Sequence, residues 1–239
     1  MSLFNGMNIK KDNWTEVFSA CLGQMVAIQT NAAEIIVKNQ DWYLDFPKGI
    51  IAFGKDEYPI QFIGTESTVS NTWLWGWENI NKFDDKLIKL AKKTKQKGLK
   101  WELEPLTTAE FDLNETLNGH NLSIVSCAVS DEKLCYYRCI HDNGAIFVAF
   151  GNIPDEVFRS LEVQRFASVT VQCIQQFYVD HKIFIESFLR WNRTSFEYQG
   201  DNIIAHFPVD LIIEFKKAGD FLCISSIHTD EIINKGGKM

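Results

Sequence analysis

The sequence predicts an α+β protein in which antiparallel β-meanders pack against long amphipathic helices. Residues 12–38 carry apolar side chains at helical spacing over several turns. Short strand-like segments then succeed one another with only brief turns between them, which is typical of an antiparallel meander. The 239 residues show no regular alternation of strand and helix of the kind that a parallel sheet requires. These three observations together define the fold class.

The first half of the chain is predicted to begin with one long helix and to continue as a meander. Asp12 is the expected N-cap of that helix, because its carboxylate can accept a hydrogen bond from the first turn. The strands are predicted at residues 42–46, 50–53 and 58–64 and at the tryptophan-rich segment 73–77. A lysine-rich helix is then expected to begin after a capping arrangement of Asn81 and Asp84.

The middle of the chain is predicted to contain a helix and a hairpin. Residues 107–129 are expected to be helical, with an interruption around Asn118 and Gly119. Two strands are predicted at Cys135–His141 and Ala145–Phe150. The Asn-Gly pair between them is a strong hairpin signal, so we expect these strands to pair directly.

The last part of the chain is predicted to be helical and then strand-rich. The helical pattern runs from Pro154 to Trp191, and a single helix of that length would span roughly 55 Å. A break is therefore expected, and Ser168–Thr170 is the candidate. The strand-rich stretch covers residues 195–227, with turns expected at residues 199–201 and 218–220.

A short internal echo raises the hypothesis of a duplicated helix-then-meander unit. The segment Gly49–Phe53 resembles Asn202–His206, and each of them comes after a helix and an aromatic strand. Short matches of this kind also arise by chance, so the pattern leaves both interpretations open. We predict a first domain over residues 1–152. Residues 153–239 form either a second lobe or part of the same domain.

Three of the seven tryptophans, Trp73, Trp75 and Trp77, lie at alternate positions within five residues. On a strand this spacing places the three indoles on one face, roughly 7 Å apart. Such a row is either a core wall or a platform that binds sugars or nucleobases. Leu74 and Gly76 make the other face apolar as well, which favours a central, buried strand. We therefore expect Trp75 to lie in the core, and Trp77 to be the nearest of the three to a pocket.

Charge and composition limit the partners that the chain can have. The net charge is −7, whereas proteins that bind nucleic acids carry an excess of lysine and arginine. The lysine run at residues 86–97 fits the solvated face of a helix. The longest wholly apolar stretch, Ala145–Phe150, is far too short to span a bilayer. We therefore expect neither a nucleic acid nor a membrane as partner.

The cysteines and the two ends of the chain favour a cytoplasmic protein. The six cysteines lie in apolar contexts without the spacing of a disulfide framework, which is typical of a reduced compartment. Residues 1–6 lack the basic start and apolar run of a secretory signal. Residues 234–239 are expected to be a frayed C-terminus.

The residue types that bind zinc occur together in one predicted strand. Cys135, Tyr137, Cys139 and His141 share one face of it. Strand positions four residues apart are separated by roughly 13 Å, whereas Zn–S bonds are about 2.3 Å long. We therefore expect buried core rather than a metal centre, and no cofactor.

Other catalytic patterns are weak. The sequence contains no phosphate-binding glycine loop, no dinucleotide-binding turn and no nucleophile elbow. Glu66 and Glu78 flank the tryptophan segment, and a paired-carboxylate hydrolase would need such groups at a fixed separation. Surface carboxylates are the simpler interpretation.

The tryptophan segment also resembles the signature of an uncharacterised bacterial domain family. Gly64–Ser67 together with Thr72–Asn79 is similar to that family's Gly-Thr-x-Ser and Thr-Trp-x-Trp-x-Trp-x-Asn pattern. The chain departs from it in having Ile63 where leucine is usual, and Gly76 and Glu78 where alanine is typical. The resemblance covers roughly residues 12–150. It implies a bacterial cytosolic protein and no established activity.

These observations lead to two hypotheses about function. The leading one is a non-enzymatic binding or interaction protein, whose partner is a protein or a small molecule. The alternative is a hydrolase or small-ligand-binding protein with a tryptophan-lined pocket. The candidate ligand-binding residues are Trp73, Trp75, Trp77, Glu66, Glu78 and Asn79. No motif identifies the ligand or the oligomeric state.

Overall fold

The computed structural model describes residues 4, 6–219 and 221–229 and confirms the α+β class. The helices are α1 (Trp14–Ala32), α2 (Lys89–Trp101), α3 (Gly119–Ala128), α4 (Val163–Gln176) and α5 (His181–Trp191). The strands of the first sheet are β1 (Trp42–Asp45), β2 (Ile50–Phe53), β3 (Asp56–Ser67), β4 (Thr72–Trp75), β5 (Glu110–Asp112), β6 (Cys135–His141) and β7 (Gly144–Phe150). Those of the second sheet are β8 (Phe196–Gln199), β9 (Asn202–Ala205), β10 (Leu211–Ala218) and β11 (Phe221–Thr229). The predicted frayed end at residues 234–239 lies outside the described residues.

Helix α1 lies in the centre of the molecule. Its N-cap is Asn13 rather than the expected Asp12, because the Asn13 side chain accepts the Glu16 N–H at 3.1 Å. The helix continues as a π-helical turn over Ala33–Val37. By length and composition the stretch Trp14–Val37 meets the criteria for a membrane-crossing helix, yet 61% of its most apolar window is buried inside the protein. Packing in the core accounts for its apolar character.

The first sheet is organised around the long strand β3. Strands β4 and β7 both pair with its C-terminal half, so they lie on opposite edges of it. Strand β6 extends the sheet beyond β7, as the Asn-Gly hairpin signal predicted. A register shift between Phe62 and Gly64 bends β3 and curls the sheet. The face of the sheet that packs on α1 and α3 forms the core.

Two of the predicted elements differ in the structure, and the predicted interruption around Asn118 is present. The lysine-rich helix begins at Lys89, eight residues after Asn81, because residues 85–88 form turns. The predicted helix over 107–129 is replaced in its first part by β5, which pairs with β4. Helix α3 begins where Asn118 accepts the Asn121 N–H at 3.0 Å.

Two breaks interrupt the last helical stretch, at residues 159–162 and 177–180, and neither lies at Ser168–Thr170. Thr170 stays within α4, where its hydroxyl donates to the Phe166 carbonyl. The side chain of Asp180 accepts the N–H groups of Lys182 and Ile183 and begins α5. A strong N-cap therefore sets the position of the second break, whereas β-branched residues remain inside the helix.

The second sheet supports the duplication hypothesis. In the β1–β2 hairpin Tyr43 pairs with Ala52, and in the β8–β9 hairpin Phe196 pairs with Ala205. Phe196 lies 153 positions after Tyr43, and Ala205 lies 153 positions after Ala52, so the two hairpins have the same register. Each hairpin comes after a helix that packs in the common core. One continuous set of buried apolar residues connects the two parts, including Val17, Phe147, Phe188 and Ile213.

Candidate functional site

Trp73 and Trp75 form a wall of the core. Both are fully buried, and their rings meet edge to face with centroids 5.3 Å apart. The Trp75 Nε1 donates to the Pro105 carbonyl at 2.9 Å, which satisfies its buried N–H. These two indoles therefore present no surface to a ligand in this structure.

The expectation that all three tryptophans share one strand face was wrong. Strand β4 ends at Trp75, and Trp77 lies in a 3-10 turn over Gly76–Glu78. The chain turns here because Gly76 packs directly on β3, where a Cβ would come within 2.8 Å of the Phe62 ring. Trp77 is nearly buried, and the Lys95 ammonium lies 3.6 Å from its ring centroid. It supports α2 rather than extending the row.

Glu66 stabilises the start of α3. Its Oε1 accepts the Gly119 N–H at 2.6 Å, and its Oε2 lies 3.6 Å from the Arg138 Nε. A carboxylate is favoured at a helix N-terminus, where the helix dipole is positive. The next residue, His120, places its Nδ1 3.2 Å from the Tyr136 hydroxyl. Burial and, secondarily, the Arg138 charge lower the pKa of His120, whereas Glu66 opposes that shift.

Asn79 fixes the loop that precedes α2. It adopts a left-handed conformation, which asparagine tolerates better than most residues. Its side-chain amide donates to the Phe83 carbonyl at 2.9 Å and accepts the Phe83 N–H at 2.7 Å. The Phe83 ring then stacks on Phe46 with centroids 4.6 Å apart. Glu78, by contrast, is exposed, so the three polar candidates occupy three different settings.

The loop that Asn79 holds forms one wall of an open groove of about 800 Å³, which we call the lysine groove. Its floor includes Ile60 of β3, and its aromatic wall is the stacked Phe46–Phe83 pair. Four lysines line it, namely Lys48, Lys82, Lys86 and Lys89. The last residue of the tryptophan signature thus shapes a cavity without lining it.

The charges in the lysine groove are unequal. The two carboxylates that line it are Asp84 and Glu132, against four lysines. The Glu132 carboxylate is already paired, with Lys93 Nζ at 2.9 Å and Lys89 Nζ at 3.3 Å. Its hydrogen bond with Lys93 and the neighbouring Lys89 hold the Glu132 pKa below its usual range. The Lys48 ammonium also lies 3.8 Å from the Asp45 carboxylate. The residues that line the groove still carry a net positive charge, on a chain whose net charge is −7.

The sequence does not predict this groove. Lys86 and Lys89 belong to the run that is typical of a solvated helix face. In the structure Lys86 precedes α2, Lys89 is its first residue, and both line the cavity. Lys48 lies in the turn before β2, far away in sequence. The one signal available is the clustering of lysines directly after the signature.

Cys135 and Cys139 are buried, Tyr137 is half-buried and His141 is exposed. The described residues contain no group of three or more histidine, cysteine, aspartate or glutamate side chains placed to hold a metal ion. The strand contributes core packing on one side, as the sequence predicted for its cysteines.

The fold and the groove describe an α+β domain with a ligand-sized, positively charged cavity. Residues 15–153 match the model of DUF6882, a family of unknown function, and this range is more than half of the chain. The chain therefore belongs to that family. Every residue that lines the lysine groove lies within the matched range. No curated protein and no solved structure matches the chain significantly.

Proposed function

We propose that this chain is a non-enzymatic binding protein that takes a small anionic ligand in the lysine groove. The observation that carries the proposal is the concentration of four lysines around one cavity of an acidic protein. Lysine ammonium groups bind phosphates and carboxylates as point charges. A cavity of about 800 Å³ also lies within the usual range of small-ligand sites.

The aromatic wall favours a ligand with both charged groups and a ring. Phe46 and Phe83 are half-buried, and both line the groove. Flat rings stack on such surfaces, whereas phosphates or carboxylates would meet the lysines around them. A nucleotide-like compound combines these two features.

We also propose that the protein is bacterial and cytoplasmic. The bacterial origin rests on the resemblance of Gly64–Ser67 and Thr72–Asn79 to a bacterial signature. The compartment rests on the cysteines: all six are free thiols, and five of them are buried. Free buried thiols suit a reducing compartment.

The hydrolase alternative has less support from the geometry. Glu66 is committed to the start of α3, and Asn79 to its own loop. Glu78 is exposed and does not line the lysine groove. Binding without turnover therefore fits the arrangement better.

The proposal can be tested by calorimetric titration at low salt with ATP and tripolyphosphate as probes. We expect ATP to bind more tightly than tripolyphosphate, because only ATP can use the aromatic wall. The double variant Lys82→Glu/Lys86→Glu should weaken ATP binding about tenfold or more, since two attractive charges become repulsive.

The matched control is Lys216→Glu/Lys217→Glu, which reverses the same number of exposed charges on β10. It should leave ATP binding unchanged, since net charge alone does not define the site. Equal loss in both double variants, or the absence of binding of either probe to the wild-type protein, would contradict the proposal.

A further inference from the structure

A second cavity, of about 290 Å³, lies between α1, α2 and the segment 129–134. We call it the aromatic pocket, because four aromatic side chains line it. These are Phe4, Trp101, Phe158 and Trp191. Met25 and Ile28 of α1 close its apolar side. Aromatic and aliphatic walls of this kind are typical of small-molecule sites.

One buried polar side chain in the pocket makes no hydrogen bond to any described residue. Gln24 of α1 is only 8% exposed and lines the cavity. Within the part of the chain that the structure describes, its amide makes no hydrogen bond to a side chain or to the backbone. The other glutamine of α1 that reaches a neighbouring element, Gln29, bonds both backbone groups of Tyr136. The Gln24 amide can therefore donate a hydrogen bond to a ligand in this cavity.

A positive charge reaches the same cavity. Lys97 of α2 lines the pocket, and its ammonium, which has three N–H groups, donates one hydrogen bond to the Val129 carbonyl. The Lys97 charge also opposes the rise that burial causes in the pKa of Cys21, so its field extends into the core. Two charged residues at the rim form ion pairs. Lys133 pairs with Asp155, and Glu132 pairs with Lys89 and Lys93. Asp131 is exposed and lines the outer part of the pocket.

We propose that the aromatic pocket binds a small aromatic carboxylate. The ring packs among Trp101, Phe158 and Trp191, and the carboxylate receives hydrogen bonds from Lys97 and Gln24. This site is separate from the lysine groove and does not depend on the function proposed for it. The size of the cavity fits one ring with a short substituent, and a nucleotide would not enter it.

The test uses benzoate as probe and the neutral benzamide as its comparison, with calorimetry and tryptophan fluorescence as readouts. Benzoate should bind the wild-type protein more tightly than benzamide and quench fluorescence through Trp101 and Trp191. Lys97→Met and Gln24→Leu should each weaken benzoate binding about tenfold, since each removes one of the two donors. Lys100→Met, an exposed change on the same helix, should leave it unchanged.

Two further readouts separate this proposal from simpler explanations. Gln24→Leu should keep or raise the melting temperature, because it replaces an amide that has no partner; a fall would show that the amide is structural and overturn the proposal. The groove variant Lys82→Glu/Lys86→Glu should bind benzoate like the wild type, and loss of binding there would place the carboxylate in the groove instead. Failure of benzoate to bind at millimolar concentration would also overturn the proposal.

Discussion

The two halves of the molecule share a helix and a hairpin, and they differ in the elements that come after that hairpin. Beyond β1–β2 the first half continues into five further strands, two helices and the tryptophan wall. Beyond β8–β9 the second half continues into β10 and β11 only, within the described residues. The positions 153 residues after Trp73 and Trp75 are Ser226 and His228, so the second half has no tryptophans at the equivalent positions.

The lysine groove lies wholly in the first half. The walls of the lysine groove combine the turn between β1 and β2 with the elements that follow that hairpin. The matched family range coincides with the first half and ends at residue 153. The groove therefore depends on both, since Lys48 lies in the shared hairpin and Lys89 in the added elements.

The largest effect should come from the tryptophan wall. Trp75→Ala should cost about 3–5 kcal/mol of unfolding free energy, because it leaves a large cavity and an unpaired Pro105 carbonyl. His228→Ala, at the position displaced by 153 residues, is exposed and should change stability by less than about 0.5 kcal/mol. Equilibrium denaturation in urea measures both. A wild-type curve for Trp75→Ala would show that this strand is not core.

Two hairpin glycines give a second contrast. Gly144 has φ +152° and packs against the Glu66 backbone, where a Cβ would collide with the carbonyl. Gly200 has φ +65° and open space around it. Gly144→Ala should therefore cost at least about 3 kcal/mol, and Gly200→Ala about 1–2 kcal/mol from the left-handed backbone alone. Equal melting temperatures for the two variants would refute the tight contact between β3 and β7.

Loss of the Glu66 carboxylate, which stabilises the start of α3, should have a moderate effect on the free energy of unfolding. Glu66→Gln removes the charge that bonds the Gly119 N–H and lies near Arg138, and should cost about 1.5–3 kcal/mol. Glu78→Gln, an exposed change in the same signature, is the control and should be neutral within about 0.5 kcal/mol. Chemical denaturation of the two variants measures the difference. If the two were equally stable, the role assigned to Glu66 would be wrong.

The smallest effect concerns pH, and each half contributes one histidine. Burial lowers the pKa of both His120 and His181 below the ordinary value of about 6.5. The unfolded chain then binds more protons than the folded one as the pH falls through that value, so stability decreases on acidification. His120→Gln and His181→Gln should each reduce the loss of stability between pH 7 and pH 5. A steeper loss in either variant would contradict this.

Much of the fold was predictable because local signals coincided with the tertiary structure. The long apolar period gave α1, and the Asn-Gly pair gave β6–β7 at nearly the observed bounds. The errors arose where a long-range contact decided the outcome. β5 exists because it pairs with β4, and no local pattern in residues 110–112 favours a strand over a helix.

The site was less predictable for the same reason. The tryptophans at 73–77 are conspicuous in sequence, but those that line the aromatic pocket are Trp101 and Trp191, which lie far apart in sequence. The lysine groove joins Lys48 to Lys89 through the curl of β3, which the sequence does not encode locally. Asn79, one of the candidates from the signature, acts by fixing a loop.

The central claim is that an anion binds among Lys48, Lys82, Lys86 and Lys89, and lysine reactivity tests it most directly. The protein would be acetylated with a limiting reagent, with and without ATP, and the rate at each lysine measured by mass spectrometry. The account predicts that ATP slows modification at these four lysines and leaves Lys216 and Lys217 unchanged. Uniform protection of all lysines, or protection confined to residues outside the groove, would contradict it.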